Sequence, residues 1–319
     1  MREVDYSLLP TSGYRVSNAS SSRWNKVQRV LFVMATLLAP MAMIALVAWV
    51  IFGSNSSLAV DENTISVIFI SVMLVSFFVL GVNLLFVMIK FVRAALLMPK
   101  FIRANGWLVW GGPAKTKFAG QIFQQSQDGL FKPVVKIPEN NLFSGQGQIE
   151  LGNYAFSQAN IAYNYGFVRI KLQRPLPHIL IDGLQNNLFS FLSNLPIEQR
   201  RDQLFKTSIG FDKHFNTYVP KDYERDALEI LTPDLMSDLI EYGAGYDFEI
   251  IDDEFYIFSS SEFDLLKQEQ YEKIFKLVLV VVEKVDAKSG RYRDHRVTDG
   301  YGRVAPAGRR LSERKGFNL

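Results

Sequence analysis

Two long stretches without an ionisable side chain dominate the N-terminal third of the chain. No Asp, Glu, Lys, Arg or His lies between Arg29 and Asp61, where residues 30–52 are almost wholly apolar, and a second apolar stretch covers residues 64–89. Each exceeds the roughly 20 apolar residues that an α-helix needs to cross the hydrocarbon core of a bilayer. Helices buried in a soluble core usually keep one polar face. The pattern therefore predicts two transmembrane helices, 30–52 and 64–89.

A short segment joins the two predicted spans. Residues 53–63 are few enough to force an antiparallel hairpin, and their ionisable side chains are Asp61 and Glu62. Basic residues flank the hairpin on both sides. They are Arg2, Arg15, Arg23, Lys26 and Arg29 before it, and Lys90, Arg93, Lys100, Arg103, Lys115 and Lys117 after it. Because basic residues accumulate on the cytoplasmic side of membrane proteins, both termini are predicted to be cytoplasmic.

Five alanines mark one stripe of the first predicted span. They are Ala35, Ala39, Ala42, Ala45 and Ala48. Small residues on one stripe let two helices approach closely within a bilayer. The stripe predicts either packing against the second span of the same chain or a homo-oligomer formed through the first span.

The region after the second span alternates basic and large apolar residues over positions 90–105. This pattern predicts a helical extension at the level of the lipid headgroups, in contact with the anionic inner leaflet. The basic residues of this predicted contact are Lys90, Arg93, Lys100 and Arg103. A plain basic stop-transfer flank is the alternative. Pro99 is expected to end the helix, and Gly106 is expected to begin the folded domain.

Alternating polar and apolar residues characterise the chain between residues 106 and 218. Short alternating runs, separated by Gly, Pro and Asn, predict an antiparallel sheet with one face in water. The predicted strands are Phe131–Ile137, Gly147–Gln158, Phe167–Gln173, His178–Asp182, Thr207–Phe211 and Phe215–Val219, with a turn at Arg174–Pro177.

The period changes to that of a helix further along the chain. The predicted helices are Asp222–Leu231, a second one capped by Thr232, begun by Pro233 and ended by Gly243, and a long one over Glu262–Lys288. Between the last two, Tyr246–Ile251 and Glu254–Ser259 predict a β-hairpin around Asp252 and Asp253. The predicted fold class is therefore α+β: a two-helix transmembrane hairpin followed by a mixed, mainly antiparallel sheet with C-terminal helices.

Charge divides the chain into regions. Residues 118–290 carry 25 acidic and 16 basic side chains, whereas residues 291–319 carry three acidic and eight basic ones. The predicted organisation is a cytoplasmic N-terminal segment (1–29), the hairpin (30–89), a cytoplasmic α+β domain (90–290) and a disordered basic tail (291–319). Such a tail suits lipid headgroups, nucleic acid, the acidic domain or no single partner.

The residue types that most catalytic motifs need are scarce. The chain has no cysteine, which excludes thiol catalysis, iron–sulfur clusters and cysteine-bound zinc. Its three histidines are not at metal-ligand spacing, and it contains no GxxxxGK[ST], HExxH or GxSxG motif. The sequence therefore predicts no catalytic residue and no cofactor.

A cluster of carboxylates is the strongest candidate for a metal or acid–base site. Its members are Asp247, Glu249, Asp252, Asp253 and Glu254. Paired carboxylates bind Mg²⁺ or Ca²⁺, or act as acid and base. Two of these residues occupy the predicted hairpin turn, where Asp is common, and the others would alternate on a solvated strand face. A structural role is therefore the preferred interpretation.

Several sequence phrases occur together along the chain. They are Leu97–Phe101 with Ala104–Gly106, Tyr165–Phe167 with Leu176–Asp182 and Asn186–Asn187, Phe215 with Tyr218–Pro220, Tyr223–Leu228, Leu231–Met236 and Asp247–Asp253. In combination they resemble an uncharacterised bacterial family of two-span membrane proteins, related to a domain of unknown function with an Ala-x-x-Leu-Thr-Pro-like helix junction. The resemblance covers about residues 20–290. It implies a bacterial inner-membrane protein with a cytoplasmic α+β domain, and it implies no activity.

Anchoring features without a catalytic motif favour a non-enzymatic function. The leading hypothesis is a membrane-anchored cytoplasmic binding or scaffold module that recruits a protein partner. The alternative is a membrane-tethered enzyme for an anionic or lipid-derived substrate, using the carboxylates of residues 247–254 or Asp182 with His178. A small channel-like oligomer is a third hypothesis. Nucleic acid is not an expected partner, because basic pairs such as Arg169 and Lys171 lack an aromatic platform.

Overall fold

The computed structural model describes most of the chain after the first predicted span. The described residues are 4–9, 62–113, 118–126, 128–138, 148–158, 160–187, 193–195 and 204–293. The first predicted span, most of the loop after it and residues 294–319 of the basic tail lie outside them. The chain divides into two compact units. One consists of residues 11–96, and the other, called the domain, consists of residues 1–10 and 97–319.

Helix α1 runs from Glu62 to Ala104. Among its described side chains between Ile70 and Leu96, eleven large apolar ones are exposed. Judged on the described residues alone, none of the helices has the combination of length and apolarity that a membrane span requires.

The predicted helix end at Pro99 is wrong, because α1 continues through this residue to Ala104. A proline within a helix removes one hydrogen bond and usually kinks or breaks the helix. Here Phe101 and Ile102, in the turn that follows, are almost completely buried in the domain core. Their burial offsets the cost of the proline.

A Schellman motif terminates α1. Gly106 has a φ of 67°, its amide donates to the carbonyl of Arg103 (3.0 Å), and the amide of Trp107 donates to the carbonyl of Ile102 (2.9 Å). The chain reverses at this point, and Trp107 joins the core. The packed part of the domain thus begins in the last turns of α1, before Gly106.

An antiparallel sheet of seven strands forms the centre of the domain. Its strands are β1 (Leu108–Pro113), β2 (Leu130–Ile137), β3 (Ile149–Gln158), β4 (Ile161–Gly183), β5 (Leu204–Phe205), β6 (Phe215–Tyr218) and β7 (Asp247–Ser259). The strand order is β1-β2-β3-β4-β6-β5, and β7 also pairs with β4. All of these pairings are antiparallel, so the predicted α+β class and antiparallel sheet are confirmed.

Strands β4 and β7 are each longer than predicted. The predicted turn at Arg174–Pro177 and the predicted hairpin at Asp252–Asp253 are both wrong, because the chain continues as a strand through each of them. The register shifts on both sides of Leu176, which lies opposite Asp252, and Asp252 has a φ of 53°. The two predicted turn sequences, Arg174–Pro177 and Asp252–Asp253, therefore lie opposite each other in the sheet. Together they form a local irregularity within one long pair of strands.

The predicted strand Thr207–Phe211 is also wrong. Residues 204–205 pair with β6, and a 3₁₀ turn follows at Phe211–Lys213. The Oδ1 atom of Asp212 accepts hydrogen bonds from the amide (3.2 Å) and the hydroxyl (2.9 Å) of Thr207. This side chain closes the segment into a turn.

Three further helices follow the middle of the sheet. They are α2 (Glu224–Ile230), α3 (Pro233–Gly243) and α4 (Gln268–Arg291). The predictions of α2 and α3 are confirmed, with Pro233 at the first helical position, although the side chain of Thr232 makes no capping hydrogen bond. Helix α4 begins later than predicted, because the amide of Lys267 donates to the carbonyl of Asp264 (3.0 Å) in a preceding turn.

Alternate residues of β4 and β7 contribute to two different cores. On the helical face of the sheet, Ile179 and Ile250 belong to a mainly aliphatic core with Val278 and Val281 of α4. On the opposite face, called the aromatic face, the core is dominated by rings. These rings belong to Phe118, Phe123, Phe131, Tyr154, Phe156, Tyr165, Phe167, Tyr218, Tyr256 and Phe258.

Candidate functional site

The aromatic face holds a row of buried ionisable side chains. Strand β4 contributes Arg169, His178 and Asp182, and β7 contributes Asp247, Glu249 and Glu254. Five of these six residues are buried, and the side chain of Arg169 is 12% exposed. The expectation that the carboxylates of β7 lie on a solvated face is therefore wrong. Segment 118–125, Gly183 and the described residues of 184–187 and 193–195 supply the hydrogen bonds that make this burial possible.

Asp182 and Asp247 form one end of the row. The carboxylate of Asp247 accepts hydrogen bonds from the amide of Gly183 (2.8 Å) and from the side chains of Asn186 (3.0 Å) and Asn194 (2.9 Å). Burial raises the pKa of Asp247 from 3.8 to about 7, and the charge of Asp182 adds to this, although the three hydrogen bonds act in the opposite direction.

The partners of Asp182 come from the same segment as those of Asp247. The Oδ1 atom accepts a hydrogen bond from the hydroxyl of Ser193 (3.0 Å), and Oδ2 accepts one from the side chain of Asn187 (3.3 Å). The hydroxyl of Tyr165 donates to the backbone carbonyl of Asn194. The two aspartates thus fasten both described parts of segment 184–195 to the sheet.

His178 and Glu249 occupy the middle of the row. The Nε2 atom of His178 lies 2.9 Å from Glu249 Oε1, and the backbone amide of Gln121 lies 3.2 Å and 3.0 Å from the two carboxylate oxygens. Asp182, which the sequence grouped with His178, is four residues further along β4, about 13 Å in an extended strand. The carboxylate that contacts His178 is therefore Glu249, and the side-chain amide of Gln121 lies 3.5 Å from the same Nε2 atom.

Arg169 lies between two carboxylates at the other end of the row. Its Nη1 atom donates to Glu150 (2.7 Å), its Nε atom donates to Glu254 (3.0 Å), and its Nη2 atom donates to Glu254 as well. The centre of the guanidinium lies 4.6 Å from the centroid of the Phe118 ring. Burial lowers the pKa of Arg169, but the hydrogen bond and charge of Glu254 outweigh it, so the pKa is raised overall.

Glu254 connects this ion pair to segment 118–125. Its Oε2 atom accepts hydrogen bonds from the amide of Ala119 (3.1 Å) and from the hydroxyl of Tyr256. Burial raises the pKa of Glu254, yet Arg169 and Tyr256 outweigh it, so the pKa is below its usual value. Burial and the neighbouring Glu254 raise the pKa of Tyr256 well above 10.

The five carboxylates that the sequence grouped as a metal candidate are separated in the structure. Asp252 and Asp253 are half-buried at the strand irregularity, and Asp253 forms an ion pair with Lys171 (2.6 Å). Throughout the described parts of the chain, no three His, Cys, Asp or Glu residues are grouped so that they could hold a metal ion. The described contacts of the row are ion pairs among its own side chains and hydrogen bonds to backbone amides, to side-chain amides and to hydroxyl groups.

Sequence reasoning missed the residues that complete this site. Gln121, Asn186 and Asn194 are far in sequence from the carboxylates that they contact, and the amide of Gln121 bonds a residue 128 positions away. The one available signal was compositional, since Asn186–Asn187 and Ser193–Asn194 bring amide and hydroxyl groups into the segment that follows a strand.

The basic residues predicted to contact lipid lie in α1. Lys90 and Arg93 belong to its residues 62–96, whereas Lys100 and Arg103 belong to the domain, where both side chains are exposed.

Comparison with known proteins gives no family for this chain. No family model matches it, and no curated protein matches it. Among solved structures, this chain matches the mycobacterial trehalose monomycolate transport factor A, TtfA, with 9% identity and a TM-score of 0.38 over 57% of this chain and 89% of the other. A likeness at this level supports no inference about fold or function. The resemblance to a two-span bacterial family stays a prediction.

Proposed function

We propose that the chain is a membrane-anchored binding module whose domain holds a protein partner at the cytoplasmic face of the membrane. The observation that carries this proposal is how the carboxylates of the buried row are hydrogen-bonded. Asp247, Glu249 and Glu254 all accept hydrogen bonds from the chain's own segments, which is the arrangement of a structural support. A domain whose buried carboxylates accept hydrogen bonds from its own segments is suited to presenting a surface.

The path of the chain supports the membrane hairpin of this proposal. Residues 1–10 and residues 97–319 belong to the same compact unit, and Leu9 is buried in the same core as Phe101. A chain that leaves a domain at residue 10 and returns to it at residue 97 can cross a membrane only an even number of times, zero included. Two spans, at 30–52 and 64–89, satisfy this condition. The eleven exposed apolar side chains of α1 would lie in a lipid or protein environment.

Electrostatics supports the cytoplasmic side. The basic residues Lys90, Arg93, Lys100 and Arg103 would contact anionic headgroups, each contributing about 1 kcal/mol near the membrane surface. The acidic character of residues 118–290 would keep the rest of the domain away from the same headgroups. The basic residues at the membrane and the acidic residues of 118–290 would together set the orientation of the domain relative to the membrane.

Cysteine labelling tests the topology, because the chain has no native thiol. We expect Ser57→Cys to react with a membrane-impermeant maleimide in intact cells. We expect Ser260→Cys, at an exposed position of the domain, to react only after the cells are permeabilised. The reverse pattern would contradict the proposed orientation, and labelling of both in intact cells would contradict the anchoring itself.

Partner capture tests the binding function. The tagged chain is cross-linked in native membranes, solubilised mildly and compared by quantitative mass spectrometry with a chain cut after Gly290. A near-stoichiometric protein retained by the full chain supports the module. Recovery of the chain alone would count against it, and loss of the partner on truncation would assign the contact to the basic tail.

An enzyme remains the second candidate, and the aspartate pair is the observation that favours it. Buried carboxylates with a pKa near 7 are frequent in active sites. Asp247→Asn distinguishes the two candidates. A binding module keeps its partner when this carboxylate is replaced, whereas an enzyme that captures its partner as a substrate would show altered capture or turnover.

A further inference from the structure

The N-terminal arm, residues 4–9, is a short segment that packs against residues 97–293 of the domain. The ring of Tyr6 stacks on Phe101 with 6.4 Å between centroids, and the side chain of Leu9 is 4% exposed. The adjacent Leu8 is 36% exposed. The arm therefore uses two anchors three positions apart, Tyr6 and Leu9, and leaves both residues between them, Ser7 and Leu8, exposed.

A single asparagine holds the backbone of the arm. The Oδ1 atom of Asn105 accepts a hydrogen bond from the amide of Asp5 (2.8 Å), and its Nδ2 atom donates to the carbonyl of Asp5 (3.1 Å). One amide side chain thus satisfies both backbone groups of one residue. The arm makes no strand pairing with the described sheet, so the two hydrogen bonds from Asn105 hold its backbone instead of β-sheet hydrogen bonds.

The arm also holds its own shape. The amide of Leu9 donates to the carbonyl of Tyr6 (2.9 Å), and the amide of Ser7 donates to the side chain of Asp5 (3.0 Å). These two bonds close a turn that brings Tyr6 and Leu9 to the same side. A short peptide with an acidic residue before the tyrosine would form the same turn, which lowers the entropy lost on binding.

The surface that receives the arm is built from rings. Phe101 packs against Trp107 and Tyr271 with centroid separations of 5.4 Å and 5.1 Å. Burial raises the pKa of Tyr6 to about 12, with a further contribution from the charge of Glu272. We define the arm groove as Phe101, Asn105, Trp107, Tyr271 and Glu272, at the end of α1 and the start of α4.

We propose that the arm groove is a peptide-binding site and that residues 4–9 occupy it as an intramolecular ligand. The peptide it accepts has an acidic residue, then tyrosine, and leucine three positions after the tyrosine. A partner segment with this pattern has to displace the arm, whose tether gives it an effective concentration of up to about 1 mM. The arm is thus an autoinhibitory contact. This site does not depend on the proposed membrane anchoring, since all its residues lie in the domain.

The test removes the arm after the protein has folded. A protease recognition sequence is inserted after Thr11 of the full chain, the detergent-solubilised protein is cut, and the released arm is separated by gel filtration. The probe is a synthetic peptide with the sequence of residues 1–11 and a C-terminal fluorophore, and binding is measured by fluorescence anisotropy. We expect saturable one-to-one binding to the cut protein and at least tenfold weaker binding to the uncut protein.

Two adjacent leucines provide the matched control. We expect a Leu9→Asp peptide to lose at least tenfold in affinity and a Leu8→Asp peptide to stay within twofold of the parent. Equal effects of the two substitutions would overturn the proposal, and so would absence of saturable binding to the cut protein. Loss of the cooperative unfolding transition on cutting would also overturn it, because the arm would then be an integral part of the fold.

Discussion

The two faces of the central sheet reach burial by different means. The helical face is covered by α4 and buries aliphatic side chains such as Ile179 and Val281, which need no partner of a particular polarity. The aromatic face is covered by segment 118–125 and by the described residues 184–187 and 193–195. It buries an arginine, a histidine and five carboxylates, Glu150 among them. Each of these polar groups needs a specific donor or acceptor, because a buried unpaired charge is strongly destabilising.

This difference determines how each face tolerates change. A cavity on the helical face removes contacts in proportion to the atoms lost. A truncation on the aromatic face also leaves a charged neighbour without its partner, which costs more than the lost contact itself. The stability of the aromatic face should therefore depend on pH and on pairing, whereas that of the helical face should depend mainly on volume.

The largest effect is expected when the central cation of the aromatic face is removed. Arg169→Met leaves Glu150 and Glu254 buried without their partner, so we expect a loss of about 3–5 kcal/mol in the free energy of unfolding. Lys171→Met is the control, because the pair of Lys171 with Asp253 is exposed by about a third or more on both sides and should contribute less than about 1 kcal/mol. Thermal and urea unfolding of the solubilised chain measure both.

A double variant shows whether the loss comes from unpaired charge. Adding Glu254→Gln to Arg169→Met removes one of the orphaned carboxylates, and we expect it to recover part of the lost stability. Strict additivity of the two substitutions, or equal losses for Arg169→Met and Lys171→Met, would contradict the contrast between the faces.

The helical face should respond to volume alone. Leu277→Ala opens a cavity beneath α4, and we expect a loss of about 2–5 kcal/mol that is the same at pH 5 and pH 8. Leu228→Ala is the control, because Leu228 of α2 is 45% exposed and should cost less than about 1 kcal/mol. A strong pH dependence of the Leu277→Ala loss would show that this face is also coupled to titrating groups.

The same contrast explains which parts of the structure the sequence predicts. Helices α2 and α3 and strands β2, β3 and β6 follow from local periodicity, because packing agrees with the pattern over each element. The full length of β4 and β7 does not, since Pro175 and Asp252 suppress a strand locally and only their opposed position in the sheet makes it continuous. Pro99 is similar, because the packing of Phe101 outweighs its local effect.

The site was less predictable than the fold. Alternation along β7 correctly places Asp247 and Glu249 on one face, but it cannot distinguish solvent from a layer of protein made by residues more than 50 positions away. The burial of these carboxylates depends on Asn194 and Gln121, whose contacts leave no periodic signal. In the sequence, only the density of acidic residues over 247–254 pointed to this site, and the adjacent pair Asp252–Asp253 suggested a turn instead.

The aspartate pair should make stability fall as the pH rises. The pKa of Asp247 is raised from 3.8 to about 7, so between these values the folded chain binds more protons than the unfolded chain. Its contribution is fully present below pH 4 and is lost as the pH rises through 7, a decrease of about 2–3 kcal/mol between pH 5 and pH 8. The groups that face it are Asp182, Tyr165 and the amides of Asn186 and Asn194.

Asp247→Asn tests this dependence. We expect the variant to lose most of the decrease between pH 5 and pH 8, as measured by unfolding at both values. Asp253→Asn is the control, because the side chain of Asp253 is 34% exposed and pairs with Lys171 near the surface. This variant should keep the decrease in stability between pH 5 and pH 8. If the two variants show the same pH dependence as the parent chain, Asp247 is not the group that titrates.

The smallest effect compares one substitution on both faces. Tyr256 and Tyr271 are both completely buried, but the hydroxyl of Tyr256 donates to the carboxylate of Glu254 and that of Tyr271 donates to the carbonyl of Leu265 (3.1 Å). A hydrogen bond to a charged group contributes about 1.5–3 kcal/mol, and a neutral one contributes about 0.5–1.5 kcal/mol. We therefore expect Tyr256→Phe to lower the free energy of unfolding about twice as much as Tyr271→Phe, as measured by urea unfolding at pH 7.

The two variants remove the same atom and leave the same ring. Equal losses in the free energy of unfolding would therefore mean that Glu254 is held by Arg169 and Ala119 alone. In that case the hydrogen bond from the hydroxyl of Tyr256 to Glu254 would add nothing measurable to the stability of the aromatic face.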